Sequence, residues 1–398
     1  MTNWKTYRLG DLCDTISDTY KGNAKSVVLI NTSDVLEGKC LNHTKEPNQN
    51  LKGQFKKTFK QYDILYSEIR PANKRFAYID FDATDYIAST KLMVLRHNEK
   101  IEPLYLYYIL QSQGVIDELQ MLAESRSGTF PQITYSELSR LEVKLPNRVI
   151  QKQILGILGA IDDKIENNRR INANLESQAQ ALFEEWLSRT STTKGVFNDI
   201  IKTTIAGDWG QENKQGNYTH EVFCIRGADI PTLRNGDKGK MPIRYILEKN
   251  YNTKQLQAND IVVEISGGSP TQSTGRVCMV TQSLLQRLGK DLVCTNFCRA
   301  ITPKDNYAIF IFLYWQMLYN KNTMFSYENG TTGIKNFNIV DFISKEEIEI
   351  PSSNDVEKLN EILRPMYNQI YANGLQNETL ATLRDTLLPK LMNGEIKL

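Results

Sequence analysis

Seven basic side chains, Lys52, Lys56, Lys57, Lys60, Arg70, Lys74 and Arg75, lie within one short stretch against only Asp63 and Glu68. A second group, Arg226, Arg234, Lys238, Lys240 and Arg244, is set against Asp229 and Asp237 in the second half of the chain. The whole chain carries a formal charge of only +2, so a polyanion would have to be met by these local patches and not by the field of the entire molecule. Lysine and arginine neutralise phosphates, with a log-log salt slope of roughly −0.9 for each contact. Reading base edges needs more than charge: an arginine or lysine suits guanine, and an asparagine or glutamine suits adenine, each pairing contributing about 1 to 3 kcal/mol of discrimination. The candidates for such contacts are Lys56, Lys57, Arg70, Lys74 and Arg126 in the first half, and Arg226, Arg234, Lys240, Arg244, Gln272 and Arg276 in the second. Gly268-Ser269-Pro270-Thr271-Gln272-Ser273-Thr274-Gly275-Arg276 is a loop by composition, its small hydroxyl residues suiting close approach to a polyanion. Trp209, after Gly207-Asp208, could pack beneath its own domain or contact a partner, and packing is the expectation.

Other chemistry finds little support. Six cysteines (Cys13, Cys40, Cys224, Cys278, Cys294, Cys298) lack CxxC spacing, and His43, His97 and His220 are scattered, so the pattern supports neither zinc nor a disulfide framework. The sequence has no Asn-Pro-Pro-Tyr or Asp-Pro-Pro-Tyr segment and no glycine-rich phosphate loop ending in Lys-Ser or Lys-Thr. Glu142-Val143-Lys144 has a nuclease-like spacing but reads as a strand without an acidic partner motif. The first residues lack an apolar signal core, and the apolar stretch 307–318 is too short to span a bilayer; it reads as a buried helix of a cytosolic protein.

The elements that would position the basic patches are two amphipathic helices. Ile154, Leu158, Ile161, Ile165, Asn168, Asn172, Leu175, Ala179, Leu182 and Trp186 recur at steps of three and four, the seam spacing of a coiled coil. Adding 205 takes Ile161 to Met366, Ile165 to Ile370, Asn168 to Asn373, Asn172 to Asn377, Leu175 to Leu380, Leu182 to Leu387 and Trp186 to Leu391, while Ala179 lands on Arg384. An asparagine inside a seam costs stability and fixes register, because its amide needs a polar group opposite. The two asparagines straddle the middle of the seam, a placement that only antiparallel pairing requires. That pairing sets Asn168 near Asn377 and Asn172 near Asn373. Ile161, Ile165, Asn168, Asn172 and Leu175 are therefore expected to pair with Met366, Ile370, Asn373, Asn377 and Leu380.

The segments before the helices are diverged copies as well. Ile30-Asn31-Thr32-Ser33-Asp34-Val35 matches Ile225-Arg226-Gly227-Ala228-Asp229-Ile230, and Asp63-Ile64-Leu65-Tyr66 matches Asp260-Ile261-Val262-Val263. An aromatic helix (104–111 and 310–317), a Gly-Thr segment (Gly128-Thr129 and Gly330-Thr331), an alternating strand and a proline (Pro146 and Pro351) follow in each copy. The offset drifts within the globular parts and stays at 205 from the proline through the helix. A spacer cannot change length without moving its ends, whereas two readers of different targets should differ most in their loops.

Taken in order, Arg8-Leu9-Gly10-Asp11-Leu12, Asp63-Ile64-Leu65-Tyr66-Ser67, Ser127-Gly128-Thr129 with Pro131-Gln132-Ile133, Leu145-Pro146 leading to Gln151-Lys152-Gln153-Ile154, Gly207-Asp208-Trp209-Gly210 and Leu383-Arg384-Asp385-Thr386-Leu387-Leu388-Pro389 resemble the specificity subunit of type I restriction-modification systems. The resemblance covers essentially the full length, with one departure: Gly330-Thr331-Thr332-Gly333 lacks the Pro-Gln of the first copy. It implies an α+β chain with an internal pseudo-two-fold repeat, in which two α/β target-recognition domains are joined by two long helices forming an antiparallel coiled coil. The expected boundaries are 1–148 and 191–352 for the domains, and 149–190 and 353–398 for the spacers. It further implies binding to double-stranded DNA, to two methyltransferase (modification) subunits that carry S-adenosylmethionine, and through them to restriction subunits that use ATP and Mg, with no cofactor, metal or catalysis on this chain. A seam from Ile154 to Trp186 spans about 48 Å at roughly 1.5 Å per residue, against about 34 Å for a DNA turn. The half-sites are thus expected about one turn apart, and because the two readers differ in sequence the expected target is asymmetric and bipartite with an unread gap. A protein-only coiled-coil scaffold and a fused restriction-methylation enzyme are the alternatives; salt-sensitive DNA binding separates the first, and methyl transfer by the isolated chain the second.

Overall fold

The computed structural model describes residues 4–49, 53–125, 131–269, 271–330 and 335–398. Arg126, Lys52, Ser127-Gly128-Thr129, Pro270 and Thr331-Thr332-Gly333, all noted in the sequence, lie outside them. The chain divides into two compact units, Met1–Asp162 with Thr382–Leu398, and Asp163–Ala381. Each unit comprises one globular lobe and a portion of both long helices, Arg148–Arg189 and Ser353–Met392.

Both helices begin where a proline-led extended segment meets a capping side chain. Asn147 Oδ1 accepts from the backbone N–H groups of Val149 and Ile150 at 3.0 and 3.1 Å, and Ser352 Oγ accepts from Asp355 N at 3.2 Å, satisfying donors that the first helical turn leaves open. In the first unit, Ile154 and Leu158 pack with Leu388, Leu391 and Met392 in one core. In the second, Ala179 and Phe183 share a core with Val356, Leu359, Leu363, Tyr367 and Ile370. Early residues of one helix therefore meet late residues of the other, which is antiparallel pairing.

The lobes repeat one topology. The first contains a sheet ordered Cys13–Ile16, Leu92–His97, Ile64–Ser67, Phe76–Tyr78; the second contains Ile201–Ala206, Cys298–Pro303, Ile261–Glu264, Val277–Met279 in the same order. A further sheet pairs Ser26–Ile30 in parallel with Tyr86–Ser89, placing Ile30 opposite Ala88; Tyr218–Ile225 pairs in parallel with Asp291–Cys294, placing Ile225 opposite Cys294. Lys5–Arg8 with Glu142–Leu145, and Thr192–Val196 with Glu347–Pro351, close the two lobes.

The matching aspartates are turn-formers. Asp34 Oδ2 accepts from Asn31 N and Asp229 Oδ2 from Arg226 N, while Asp63 Oδ2 accepts from Lys60 N and Asp260 Oδ2 from Gln257 N. The recurring motifs thus carry backbone hydrogen bonding within the fold. The apolar stretch near 307–318 is the helix Ala308–Asn320, buried along most of its length, and among the described residues no helix is long and apolar enough to cross a membrane.

The helix seam departs from strict heptad spacing beyond Asn172. Leu182, expected in the seam, is 42% exposed, while Phe183 is fully buried against Phe310 and Tyr314. Here the helix faces the aromatic helix of its lobe as well as its partner helix, and the wider apolar stripe follows the 3.6-residue period. Arg384, where the repeat replaces Ala179, is held by Asp162 at 2.9 Å, and the same carboxylate accepts from Tyr108 Oη at 2.5 Å. The counterpart of Asp162 is Tyr367, which shares an apolar core with Ala179, so an ion pair at one end of the repeat replaces an apolar contact at the other.

Candidate nucleic-acid interface

The middle of the helix pair is polar and buried. Asn168 Nδ2 donates to Asn377 Oδ1 at 2.9 Å and to Gln376 Oε1 at 2.8 Å; Asn373 Nδ2 donates to Asn172 Oδ1 at 2.8 Å. Ile161, Ile165 and Ile370 are buried beside this ladder, and Leu175, Met366 and Leu380 are half-buried. Asn172 Nδ2 also reaches Ile370 O at 3.0 Å and Asn235 O at 2.9 Å. The second lobe therefore sits on the asparagine ladder itself, a role that the seam pattern alone did not indicate.

That junction is close. A Cβ on Gly374 would lie 1.9 Å from the carbonyl oxygen of Gly236. Arg287 donates to Gly236 O at 2.7 Å and pairs with Glu378 at 3.0 Å. Arg234, a candidate reader, pairs with Glu176 of the first long helix at 2.5 Å. Burial pushes the Glu176 carboxyl up, and Arg234 opposes that shift.

Other candidates are engaged within their lobes. Arg226 forms a two-pronged pair with Asp229 at 2.9 and 3.1 Å and donates to Lys240 O. Arg276 forms another with Glu264 at 2.7 and 2.6 Å, so the end of its glycine-rich loop turns inward. Lys57 Nζ donates to Thr90 O and Leu92 O at 3.1 and 2.8 Å, and burial lowers its pKa. It holds the turn that presents Lys91.

A further group is defined by its exposure to solvent. Lys56, Arg70, Lys240 and Gln272 are exposed and Lys74 is half-exposed. Arg70 and Lys74 both adopt left-handed backbone, φ 45° and 52°, flanking a short turn at Pro71–Asn73. Non-glycine residues held there are strained, and such strain concentrates where a loop is shaped for contact. Three segments converge at this corner: Arg70 N donates to Pro131 O at 3.1 Å, Ile69 bridges Gln132, and Lys91 Nζ donates to Gln132 Oε1 at 3.4 Å. In the second lobe Ser266 and Gly267 pair in the same way with Asn336 and Lys335. Lys91, Gln132 and their counterparts Phe297 and Asn336 were not candidates from sequence; strand register places them at equivalent corners of the two lobes.

Trp209 departs from its expected packing. It is 38% exposed and stacked under Arg244, whose guanidinium carbon lies 4.1 Å from the ring centroid. Five cysteines are buried, and burial pushes the Cys13, Cys224 and Cys298 thiols up to about 12, making them poor nucleophiles at neutral pH.

The profile of the type I restriction modification DNA specificity domain matches residues 1–177 and again 189–380. The HindI type I restriction enzyme specificity subunit of Haemophilus influenzae is 30% identical across all of both chains. The MjaIX specificity subunit of Methanocaldococcus jannaschii is 25% identical over 74% of this chain and 69% of its own length. The crystal structure of a type I restriction-modification S subunit from M. genitalium shares the fold, with a TM-score of 0.51 at 17% identity, covering 98% of this chain and 96% of that one. The chain belongs to the type I restriction-modification specificity family.

Proposed function

We propose that this chain is the sequence-reading subunit of a type I restriction-modification complex, with each lobe contacting one half of an asymmetric, bipartite DNA site. The observation that carries this reading is one strand framework, kept in register in both lobes, bearing loops of different length and chemistry. The helix pair holds the gap between the half-sites, and the asparagine ladder fixes its register. The chain positions DNA for methyltransferase subunits, which supply S-adenosylmethionine, and for restriction subunits, which supply ATP-driven chemistry; it performs no bond-breaking step itself. Its phosphate contacts come from Lys56, Arg70, Lys74 and Lys240, and its base contacts from the loop corners.

The test is binding of the chain, together with its methyltransferase partner, to duplexes of varied sequence at several salt concentrations. Sequence-dependent affinity that falls steeply with salt is expected. Affinity independent of both sequence and salt would favour the protein-only scaffold, and methyl transfer by the isolated chain would favour a fused enzyme.

A further inference from the structure

Gly207-Asp208-Trp209-Gly210 forms a turn in which every residue has a structural assignment. A Cβ on Gly207 would fall 1.8 Å from Thr295 O, and Gly210 has φ +58° with a Cβ position 2.3 Å from Tyr245 O. Asp208 N donates to Cys294 O at 2.7 Å. The Asp208 carboxylate accepts from Asn250 Nδ2 at 2.7 Å, Lys254 Nζ at 3.1 Å and Gly210 N at 3.1 Å. The turn is therefore rigid, and its product is the half-exposed Trp209 ring.

Arg244 lies on that ring, and its Nε donates to Trp209 O at 3.0 Å. Among the described residues no hydrogen bond or ion pair engages its two terminal amino groups. The three other candidate arginines of this lobe, Arg226, Arg234 and Arg276, each face a carboxylate. Stacking fixes the guanidinium plane and reduces the rotamer freedom that binding would otherwise remove. Position 244 also differs between the lobes while its strand pairing is kept: Arg244 lies opposite Val222, and Glu46 lies opposite the corresponding Val27. A framework contact would have no reason to reverse charge, whereas a reading position would.

We propose that Arg244, held flat on Trp209, is a guanine-reading fork of the second half-site. Its terminal N–H groups match the paired O6 and N7 acceptors of guanine in the major groove, whereas a phosphate contact would need only the charge. This inference rests on the DNA-reading function proposed above.

The test uses the chain assembled with its methyltransferase partner, mapping methylated sites for wild type, Arg244→Lys, Arg244→Gln and Trp209→Leu. Wild type should require a guanine in the second half-site. Arg244→Gln should lose discrimination at that one position by roughly 10- to 100-fold, and Arg244→Lys, which keeps a guanine-compatible donor without the flat stacked fork, should lose less, with the first half-site unchanged. Trp209→Leu should relax the same position more weakly. An unchanged preference at every position, with methylation slowed uniformly or not at all, would overturn the proposal. A wild-type complex that methylates without sequence preference would instead overturn the underlying functional reading, and the proposal with it.

Discussion

The loop at 68–75 in the first lobe and the loop at 265–276 in the second leave and re-enter the same pair of antiparallel strands, yet they are built by opposite means. The first is short and basic, and holds Arg70 and Lys74 in left-handed backbone around Pro71. The second is longer and rich in glycine and hydroxyl residues, with Gly267 and Gly268 taking the positive φ values of 144° and 74°. The neighbouring turn carries the exposed Lys91 in one lobe and Phe297, 59% exposed, in the other. Register is kept where strands pair, and chemistry changes where they do not. On the proposed function the framework supplies position while the loops supply identity, and substitutions should separate the two.

The largest effect is expected from breaking the framework. Gly374→Ala places a methyl group 1.9 Å from Gly236 O, and separating the second lobe from its helix should cost about 3 kcal/mol or more. Gly156→Ala, with nothing within 4 Å of the added carbon, should instead stabilise by up to about 1 kcal/mol. Chemical denaturation of the two variants checks the contrast.

Asn373→Leu comes next. It leaves the Asn172 carbonyl buried without its donor and should cost about 1 to 3 kcal/mol, while the methylated sequence stays the same. A changed half-site would show that the ladder and the reading loops are not separable.

Loop substitutions should act in reverse. Arg70→Gly and Lys74→Gly relieve left-handed strain, and each should be neutral or stabilising by up to about 1 kcal/mol. Binding should nevertheless weaken, with the salt slope becoming shallower by roughly 0.9 for each phosphate that is no longer neutralised. An unchanged slope would remove these residues from the interface.

The smallest effect concerns pH. His220 lies between Asp291 and Glu248, 2.8 Å from each carboxylate, and stacks on Tyr251. Burial pulls its pKa down, but hydrogen bonds to Asp291 and Glu248 outweigh it, and the net direction is upward. A raised folded-state pKa means that the stabilisation is fully present below the usual histidine value and is lost as pH rises through the folded one. Melting temperature should therefore decline modestly from mildly acidic to alkaline pH in wild type, and less in His220→Asn; equal slopes would exclude the histidine as the cause.

The long helices and their antiparallel pairing were legible because heptad spacing and a constant offset are local, periodic signals. The asparagines were legible because a polar group in an apolar seam demands a partner. Leu182 was misplaced because the seam pattern cannot register a lobe packing on the same helix, and Phe183 answers to that lobe. The residues proposed to read DNA were the least legible. Arg226, Arg234 and Arg276 look alike in sequence to Arg244, and only the acids folded against them, Asp229, Glu176 and Glu264, distinguish internal ion pairs from an outward fork. Trp209 was expected to pack beneath its domain; the two glycines that hold its turn outward act through tertiary contacts that composition does not reveal.

The most direct test of two unlike readers on one repeated framework is the set of sites methylated by the assembled complex, for wild type and for a variant with one heptad inserted into each helix at the 162/163 and 381/382 boundaries. The account predicts an asymmetric motif of two defined segments, unchanged by the insertions, with only the undefined gap between them lengthened. A single contiguous motif, or altered segments across an unaltered gap, would contradict it.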